Sequence, residues 1–429
     1  MREVRKASVW DTVRVATGVL APIVARGVIV RRPRMVALAA KVDADAHAAR
    51  LLGRLADRYG PGPLLLRIPG RAFAVVLDRS DMRRVLTESP DPFALSTHEK
   101  RASLAHFQPG GVLISQGRDR DERRRFTEAV LETGHPTHHL ADHLRDVIAE
   151  ETATLATSWL DWDAFTTVWW RIVRRFVLGD AARDDTDVTD LLRSLRSDAN
   201  WAYATPRRAR RRHRFQNRLR RYLVVAQPNS LTEVIAAPPA TANVRPDQQV
   251  PHWLFAFDAA GMTVFRTLAL LTAHPGQAAR VREDATRLRA CVQEAVRLWP
   301  TTPVILREST RDTEWGDRWL PAGTTLVVLP PFFHRDERTL FYANNFVPDI
   351  WLDGLAEDAA LVPFSAGPGQ CPGQDLVLLT TSMVLAQLLD RFEVRAHGPH
   401  RLDSAWPLPG TLDPFTLSFD LTARAPVHQ

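Results

Sequence analysis

Near its C-terminus the chain reads PFSAGPGQCPGQDLVLL, residues 363–379. Cys371 stands there between Gly369 and Gly373, beside Pro372 and just ahead of an apolar run. Proline suits the first position of a helix, because the N–H it lacks is not needed there. The pattern predicts a helix over residues 375–392 with Cys371 at its N-terminus. The sulfur then faces unpaired N–H groups and the positive end of the helix dipole. That environment favours the thiolate. Gly367, Gly369 and Gly373 remove side chains near the sulfur, the clearance that a large flat ligand needs. The alternative is a buried structural cysteine at a helix start.

The second cysteine is Cys291, so the chain has no disulfide framework. A single thiolate without clustered histidines is a poor zinc site. It is a good axial ligand for haem iron. The 429 residues are 45% hydrophobic, enough for a large core. The net charge of +7 is almost all arginine; Lys6, Lys41 and Lys100 are the lysines. A basic surface favours acidic partners. The start, MREVRKASVW, is charged and unlike a secretory signal. The apolar stretch Val13–Val30 is interrupted by Arg14, Pro22 and Arg26, too short and too charged to span a bilayer. A terminal helix packed on the protein is expected, with a membrane-surface segment as the alternative. No stable membrane insertion is expected, and the expected location is cytoplasmic.

Residues 44–59 have helical spacing and end at RYGPGP, 58–63. LLLRI and AFAVVL follow as short strands about Pro69-Gly70. SDMRRVL, 80–86, opens a helix with Ser80 as N-cap. Residues 120–300 are mostly helical, and 312–330 form a strand pair turning at Pro321-Ala322-Gly323. The fold class is mainly α, or α+β. The basic stretch 206–223 fits an amphipathic helix burying Phe215, Leu219 and Leu223. A phosphate-binding or membrane-touching patch is its alternative.

Several segments then carry a family resemblance. Phe364-x-x-Gly367-x-x-x-Cys371-x-Gly373 resembles the haem-binding loop of the cytochrome P450 family. CVQEAVRLWP, 291–300, resembles the family's ExxR helix. Glu294 and Arg297 stand there at i and i+3, where an ion pair can form, in a role the resemblance makes structural. PHWLFAFDAAGMTVFRTLALLTAHP, 251–275, resembles the long helix over the distal face of the haem. Aligned without gaps, it puts Asp258 on the family's acidic position and Ala259 where threonine is usual. A rival register puts Thr263 there; the ungapped one is preferred. RDRDERRRFTEAVL, 118–131, resembles the C helix and places Arg120 and Arg124 toward the haem. PVILRES places Arg307 on a haem propionate, where a rigid guanidinium fork pairs well with carboxylate. The resemblance implies a cytochrome P450 fold: one domain over 1–429, with a helical extension 1–57, a family core 58–429 and a small β-rich region near the N-terminus. It also implies haem b, with Cys371 as metal ligand and Phe364, Gly367 and Gly373 in its cradle.

Three departures stand out. Ala259 lacks the alcohol that helps deliver protons, which leaves Asp258, a substrate hydroxyl or another residue. Ile350 replaces a basic residue, and Gly369 replaces an arginine or histidine. The implied function is a haem-thiolate monooxygenase using dioxygen and two external electrons, with Asp258 and Ala259 as the catalytic positions. No G-x-G-x-x-G follows a strand, so electrons come from a separate ferredoxin-type partner with its reductase. Arg120, Arg123, Arg124 and Arg125 form a basic rim for it. The expected substrate is small to medium, apolar or aromatic, and secondary-metabolite-like. Its expected pocket draws on Phe93, Phe107, Val112, Leu113 and Phe255, with Pro109-Gly110-Gly111 as a mobile gate. The alternatives are one-electron oxidative coupling, peroxide-driven oxidation and a non-catalytic haem protein. No nucleic-acid partner is expected.

Overall fold

The computed structural model describes residues 2–155, 158–236, 241–397, 402 and 404–424. They divide into two compact units. The first comprises Met1–Ser103, Val296–Cys371 and Pro409–Leu412; the second comprises Leu104–Ala295, Pro372–Leu408 and Asp413–Gln429.

The first unit holds a five-stranded sheet. Its order is Leu64–Leu66, Phe73–Val75, Thr325–Val328, Ile305–Ser309 and Phe93–Ala94. Leu65 faces Ala74, Phe73 faces Thr325 in parallel register, and Leu306 faces Val327. The two predicted strands after residue 63 are present, each three residues long. Helix Ala44–Tyr59 buries Leu51, Leu52 and Leu55 against this sheet's core, with Val75, Met82 and Leu326. The N-terminal segment is helical from Val9 to Arg26, through a π-helical turn at Ala16–Leu20. Val15, Val19 and Ile23 join the same core, as expected of a packed terminal helix.

Two local predictions are corrected. The helix runs Arg79–Thr87, and Asp78 rather than Ser80 caps it by accepting from the N–H groups of Ser80 and Asp81. Asp78 is extended, as an N-cap must be, whereas Ser80 already lies in the first turn. The 312–330 segment is not one hairpin about Pro321. Thr313–Trp315 pairs with Arg318–Leu320, and the turn falls at Gly316, whose φ of +64° glycine adopts readily. Thr325–Val328 leaves for the five-stranded sheet, where it pairs with Ile305–Ser309.

Arg297, on helix Leu288–Leu298, is fully buried. Its guanidinium donates to the carbonyls of His334 (2.8 Å), Ala343 (2.9 Å) and Asn345 (2.9 Å). The buried His334 imidazole accepts from the Val362 N–H at 3.0 Å. Burial first, then the charges of Arg297 and Arg79, push that imidazole down to about 3.

The second unit is built on helix Pro246–Ala273. By length and composition it is apolar enough to cross a membrane, but 78% of that window is buried inside the protein, as in a core helix. It begins five residues before the segment matched by sequence. Helix Ala209–Val225 buries Phe215 and Leu219 as predicted; Leu223 is only half-buried. One element was not foreseen: an antiparallel sheet of Phe392–His397, Ser418–Ala423 and Trp159–Asp161. Its strands are far apart in sequence.

Two outcomes are expected. Asp78→Ala should lower unfolding stability by about 0.5–2 kcal/mol in urea, and Ser80→Ala by less than about 0.5 kcal/mol. The folded state refuses the proton that His334 takes near pH 6.5 when unfolded. Its contribution is therefore present above about pH 6.5 and lost as pH falls toward about 3. Urea midpoints measured from neutral pH downward should decline less steeply in His334→Gln than in the parent.

Candidate functional site

The loop before Cys371 is fixed by its own backbone. Ser365 N–H donates to Val362 O at 3.0 Å, Gln370 N–H to Gly367 O at 2.9 Å, and Cys371 N–H to Phe364 O at 2.9 Å. Gly367 has φ +61°, and a Cβ there would overlap the Leu86 carbonyl oxygen and lie 2.9 Å from Thr87 Cα. A Cβ on Gly369 would overlap Arg307 Nη2 and Leu95 Cδ2. These two glycines therefore answer to close packing inside the first unit, a tighter constraint than open space about the sulfur. Gly373 is different: among the described residues its Cβ would meet Leu131, in ordinary contact at 3.6 Å. Cys371 is partly exposed, whereas Cys291 is buried. Phe364 is half-buried.

The helix after the loop runs Gln374–Arg391 with Gly373 as N-cap. Pro372 thus precedes it rather than opening it, and Phe392 begins the next strand. Within the second unit, Thr133 Oγ1 donates to Pro372 O at 2.7 Å, and the Gly134 N–H to Asp375 Oδ2 at 2.9 Å. Both bonds hold the helix start in place.

Arg307 is 2% exposed. Its Nε donates to Ser89 Oγ at 3.0 Å, Nη1 to Leu306 O at 3.0 Å and Nη2 to Ser365 Oγ at 3.4 Å. Lys100 stands nearby, donating to the carbonyls of Leu95 (2.8 Å) and Leu306 (3.1 Å). Burial, and then the Arg307 charge, hold the Lys100 amine well below the usual lysine value. Sequence reasoning did not assign Lys100 a role; its rarity, one lysine of three, was the available signal. Arg307 and Lys100 meet at the Leu306 carbonyl. Glu294 is fully buried one turn before Arg297 on the same helix. Ile350 is buried in a small apolar cluster with Leu340 and Tyr342, so that position serves packing.

In the second unit, helix Gly117–Leu131 carries Arg120 and Arg124. Arg120 is buried and pairs with Asp121 at 3.2 Å; Arg124 pairs with Glu128 at 2.6 Å. Burial, and then the charge of Arg124, lower the Arg120 guanidinium from its usual value. The predicted basic rim is smaller than expected. Arg123 is half-buried, donating to Ser115 Oγ and Asn243 O, and Arg125 alone of the four is exposed. The exposed Arg118 adds to it.

On helix Pro246–Ala273, His252, Phe255, Ala256, Asp258 and Ala259 are half-buried between fully buried neighbours, which marks one face. Asp258 Oδ2 pairs with Arg196 Nη2 at 2.7 Å. Arg196 is 2% exposed and lies 4.5 Å from the Phe255 ring centre. The partner of Asp258 is 62 residues away, and no local pattern announced it. Thr263 is buried, and its hydroxyl donates to the Ala259 carbonyl at 3.2 Å.

The expected pocket residues divide. Phe107 is fully buried and meets Phe255 edge-on at 6.1 Å; Val112 is buried and Leu113 half-buried. Phe93 belongs to the first unit's core, because strand pairing with Ser309 turns it against Trp315 at 5.9 Å. The Pro109–Gly111 segment is strapped rather than loose. Gln248 Oε1 accepts from Gly110 N–H, Gln249 Nε2 donates to Gly110 O, and Gln249 Oε1 accepts from Val112 N–H. Trp169 and Trp170 are core, and Trp169 Nε1 donates to Phe257 O at 2.8 Å; Trp201 and Tyr203 are exposed.

Comparison with known proteins agrees with this fold. Residues 262–407 match the family model described as Cytochrome P450. Cytochrome P450 monooxygenase FCK2 of Fusarium pseudograminearum is 37% identical over 138 residues, covering 30% of this chain and 24% of the relative. Cyclooctat-9-en-7-ol 5-monooxygenase of Streptomyces melanosporofaciens is 30% identical over 198 residues, covering 40% of this chain and 41% of the relative. These aligned stretches span well under half of the curated relatives. Among solved structures, CYP175A1 from Thermus thermophilus superposes with a TM-score of 0.66 at 20% identity, covering 89% of this chain and 97% of the other. A zebrafish cytochrome P450 with abiraterone gives 0.70 at 18% identity, covering 88% and 99%. The fold is therefore that of a cytochrome P450, mainly α with small sheets. Over residues 262–407 the chain matches that family, whose members hold haem b on a cysteine thiolate.

The residues present fit that group. The first unit offers one partly exposed thiol on a rigid loop, the buried Arg307 and the half-buried Lys100. The second offers Arg120 and Arg124 on one helix. Gly367→Ala should lower stability by about 1–3 kcal/mol, because alanine is strained at this positive φ. Its ratio of Soret to protein absorbance should fall with it.

Proposed function

We propose that the chain is a haem-thiolate monooxygenase with Cys371 as the iron ligand. The observation that carries this reading is the partly exposed thiol of Cys371 on its backbone-fixed loop, inside the stretch that matches the family. When bound, haem supplies dioxygen-activating chemistry with two electrons from an external carrier. Arg307, Arg120 and Arg124 hold its propionates, and Phe364, Gly367 and Gly373 form the cradle. Glu294 and Arg297 are structural, and the second of them anchors the segment before the loop.

Asp258 moves protons through its carboxylate, which the buried Arg196 holds in place. Ala259 brings no hydroxyl of its own, and the nearby Thr263 hydroxyl is bonded to backbone. That observation supports a second reading, one-electron coupling or peroxide-driven oxidation. The substrate is small to medium, apolar or aromatic in its body, and of the secondary-metabolite kind, held by Phe107, Val112, Leu113 and Phe255. The relative named for 5-monooxygenation of cyclooctat-9-en-7-ol supports this class. A ferredoxin-type carrier with its reductase delivers electrons, and the exposed Arg118 and Arg125 suit an acidic partner. We read residues 1–429 as one cytoplasmic domain that acts without a nucleic-acid partner.

The test is the carbon monoxide spectrum of dithionite-reduced protein. Cys371→Ala should lose the red-shifted Soret band of thiolate-ligated haem, and Cys291→Ala should keep it. A Cys371→Ala protein that retains that band overturns the reading. Turnover with hydrogen peroxide alone, compared with a surrogate ferredoxin and reductase, separates the two reaction classes.

A further inference from the structure

The monooxygenase reading leaves the recognition of its substrate undefined, and one side chain bears on it. Gln108 is 0% exposed. Its backbone is fully used: the N–H donates to Leu104 O at 2.9 Å, and the carbonyl accepts from Gly111 N–H at 3.0 Å. Its side-chain Nε2 donates to His252 Nδ1 at 3.1 Å, so that ring nitrogen acts as the acceptor. The other end of the amide, Oε1, is buried without a hydrogen-bond partner. Interiors leave few acceptors in that state, since burying one without a donor is unfavourable.

The surroundings are aromatic. Phe107, the preceding residue, meets Phe255 edge-on, and His252 meets the same ring at 5.5 Å. His252 and Phe255 lie on the half-buried face of helix Pro246–Ala273 that also carries Asp258 and Ala259. Two residues before Gln108, the pattern repeats. His106 is 1% exposed, and its Nδ1 has no partner. Burial, and then the charge of Arg207, hold this imidazole below the usual histidine value. Among the described residues, the segment Leu104–Gln108 thus holds a second buried side-chain atom without a partner beside Gln108 Oε1.

We infer that Gln108 is a specificity-determining residue: its Oε1, oriented by His252, receives a hydroxyl or N–H group of the substrate. The inference rests on the monooxygenase reading and narrows its substrate class. The substrate is an aromatic or alicyclic body that carries a hydrogen-bond donor, rather than a bare hydrocarbon. A site built around a buried acceptor discriminates strongly against the analogue that lacks the donor, because the acceptor is then left dry.

The holoprotein is titrated with 1-naphthol, 1-methoxynaphthalene and naphthalene, following the Soret perturbation. The ether keeps the oxygen and removes only the donor. The parent should bind 1-naphthol about 10- to 100-fold more tightly than the ether. Gln108→Leu should abolish that preference by weakening naphthol alone, leaving the ether within about 3-fold; Gln108→Met serves the same end if the leucine variant does not fold. Equal affinity for naphthol and ether in the parent overturns the inference. So does a preference that survives in the variant, or binding of none of the three probes. The reduced carbon monoxide spectrum of the same sample separates the two claims. Loss of the thiolate band in the parent sinks the monooxygenase reading, whereas an intact band without donor preference sinks this inference alone.

Discussion

A buried guanidinium holds the route to the cysteine. Arg297 satisfies three backbone carbonyls in an irregular segment that has no sheet to receive them. Each partner would be unfavourable alone: a buried cation without acceptors, or buried carbonyls without donors. Together they fix residues 334–345. From there a line of hydrogen bonds continues. The carbonyl of His334 accepts from the Arg297 guanidinium, its imidazole accepts from the Val362 N–H, and the Val362 carbonyl accepts from the Ser365 N–H. Phe364 then receives the Cys371 N–H. The thiol is positioned by a backbone that is held at both ends, which is why a neutral, buried histidine belongs in this part of the fold.

Much of the architecture was legible because it is written in local periodicity. The apolar run after Cys371, the spacing of residues 44–59 and the stripe of the basic helix each needed only neighbours along the chain. The errors arose where two local signals competed. Asp78 and Ser80 are both good caps, and backbone conformation chose the aspartate. Both Gly316 and Gly323 sit at tight turns with positive φ, and the pairing of Thr325–Val328 with Ile305–Ser309 decided which turn closes a hairpin. The small sheet joining Trp159–Asp161 to Ser418–Ala423 had no local trace at all.

The candidate site divides along the same line. Its cysteine and glycines were readable from spacing, although the reason for two of the glycines is packing against Leu86, Leu95 and Arg307. The charges were readable only as residue types. Arg196 beside Asp258, Lys100 beside Arg307 and the paired glutamines that strap Gly110 come from distant sequence. A buried charge or amide is specified by its partner, and the partner is known only once the chain is folded.

The contact between Gly369 and Arg307 carries a consequence for how this sequence can change. The guanidinium occupies the volume that any side chain at position 369 would need. Leu95 fills part of the same volume, so a side chain at 369 must displace the free ends of both. Bulk at 369 is therefore coupled to the placement of the Arg307 and Leu95 side chains together. Positions 95, 307 and 369 thus change as a coupled set, and a side chain gained at 369 moves the place of the positive charge at 307.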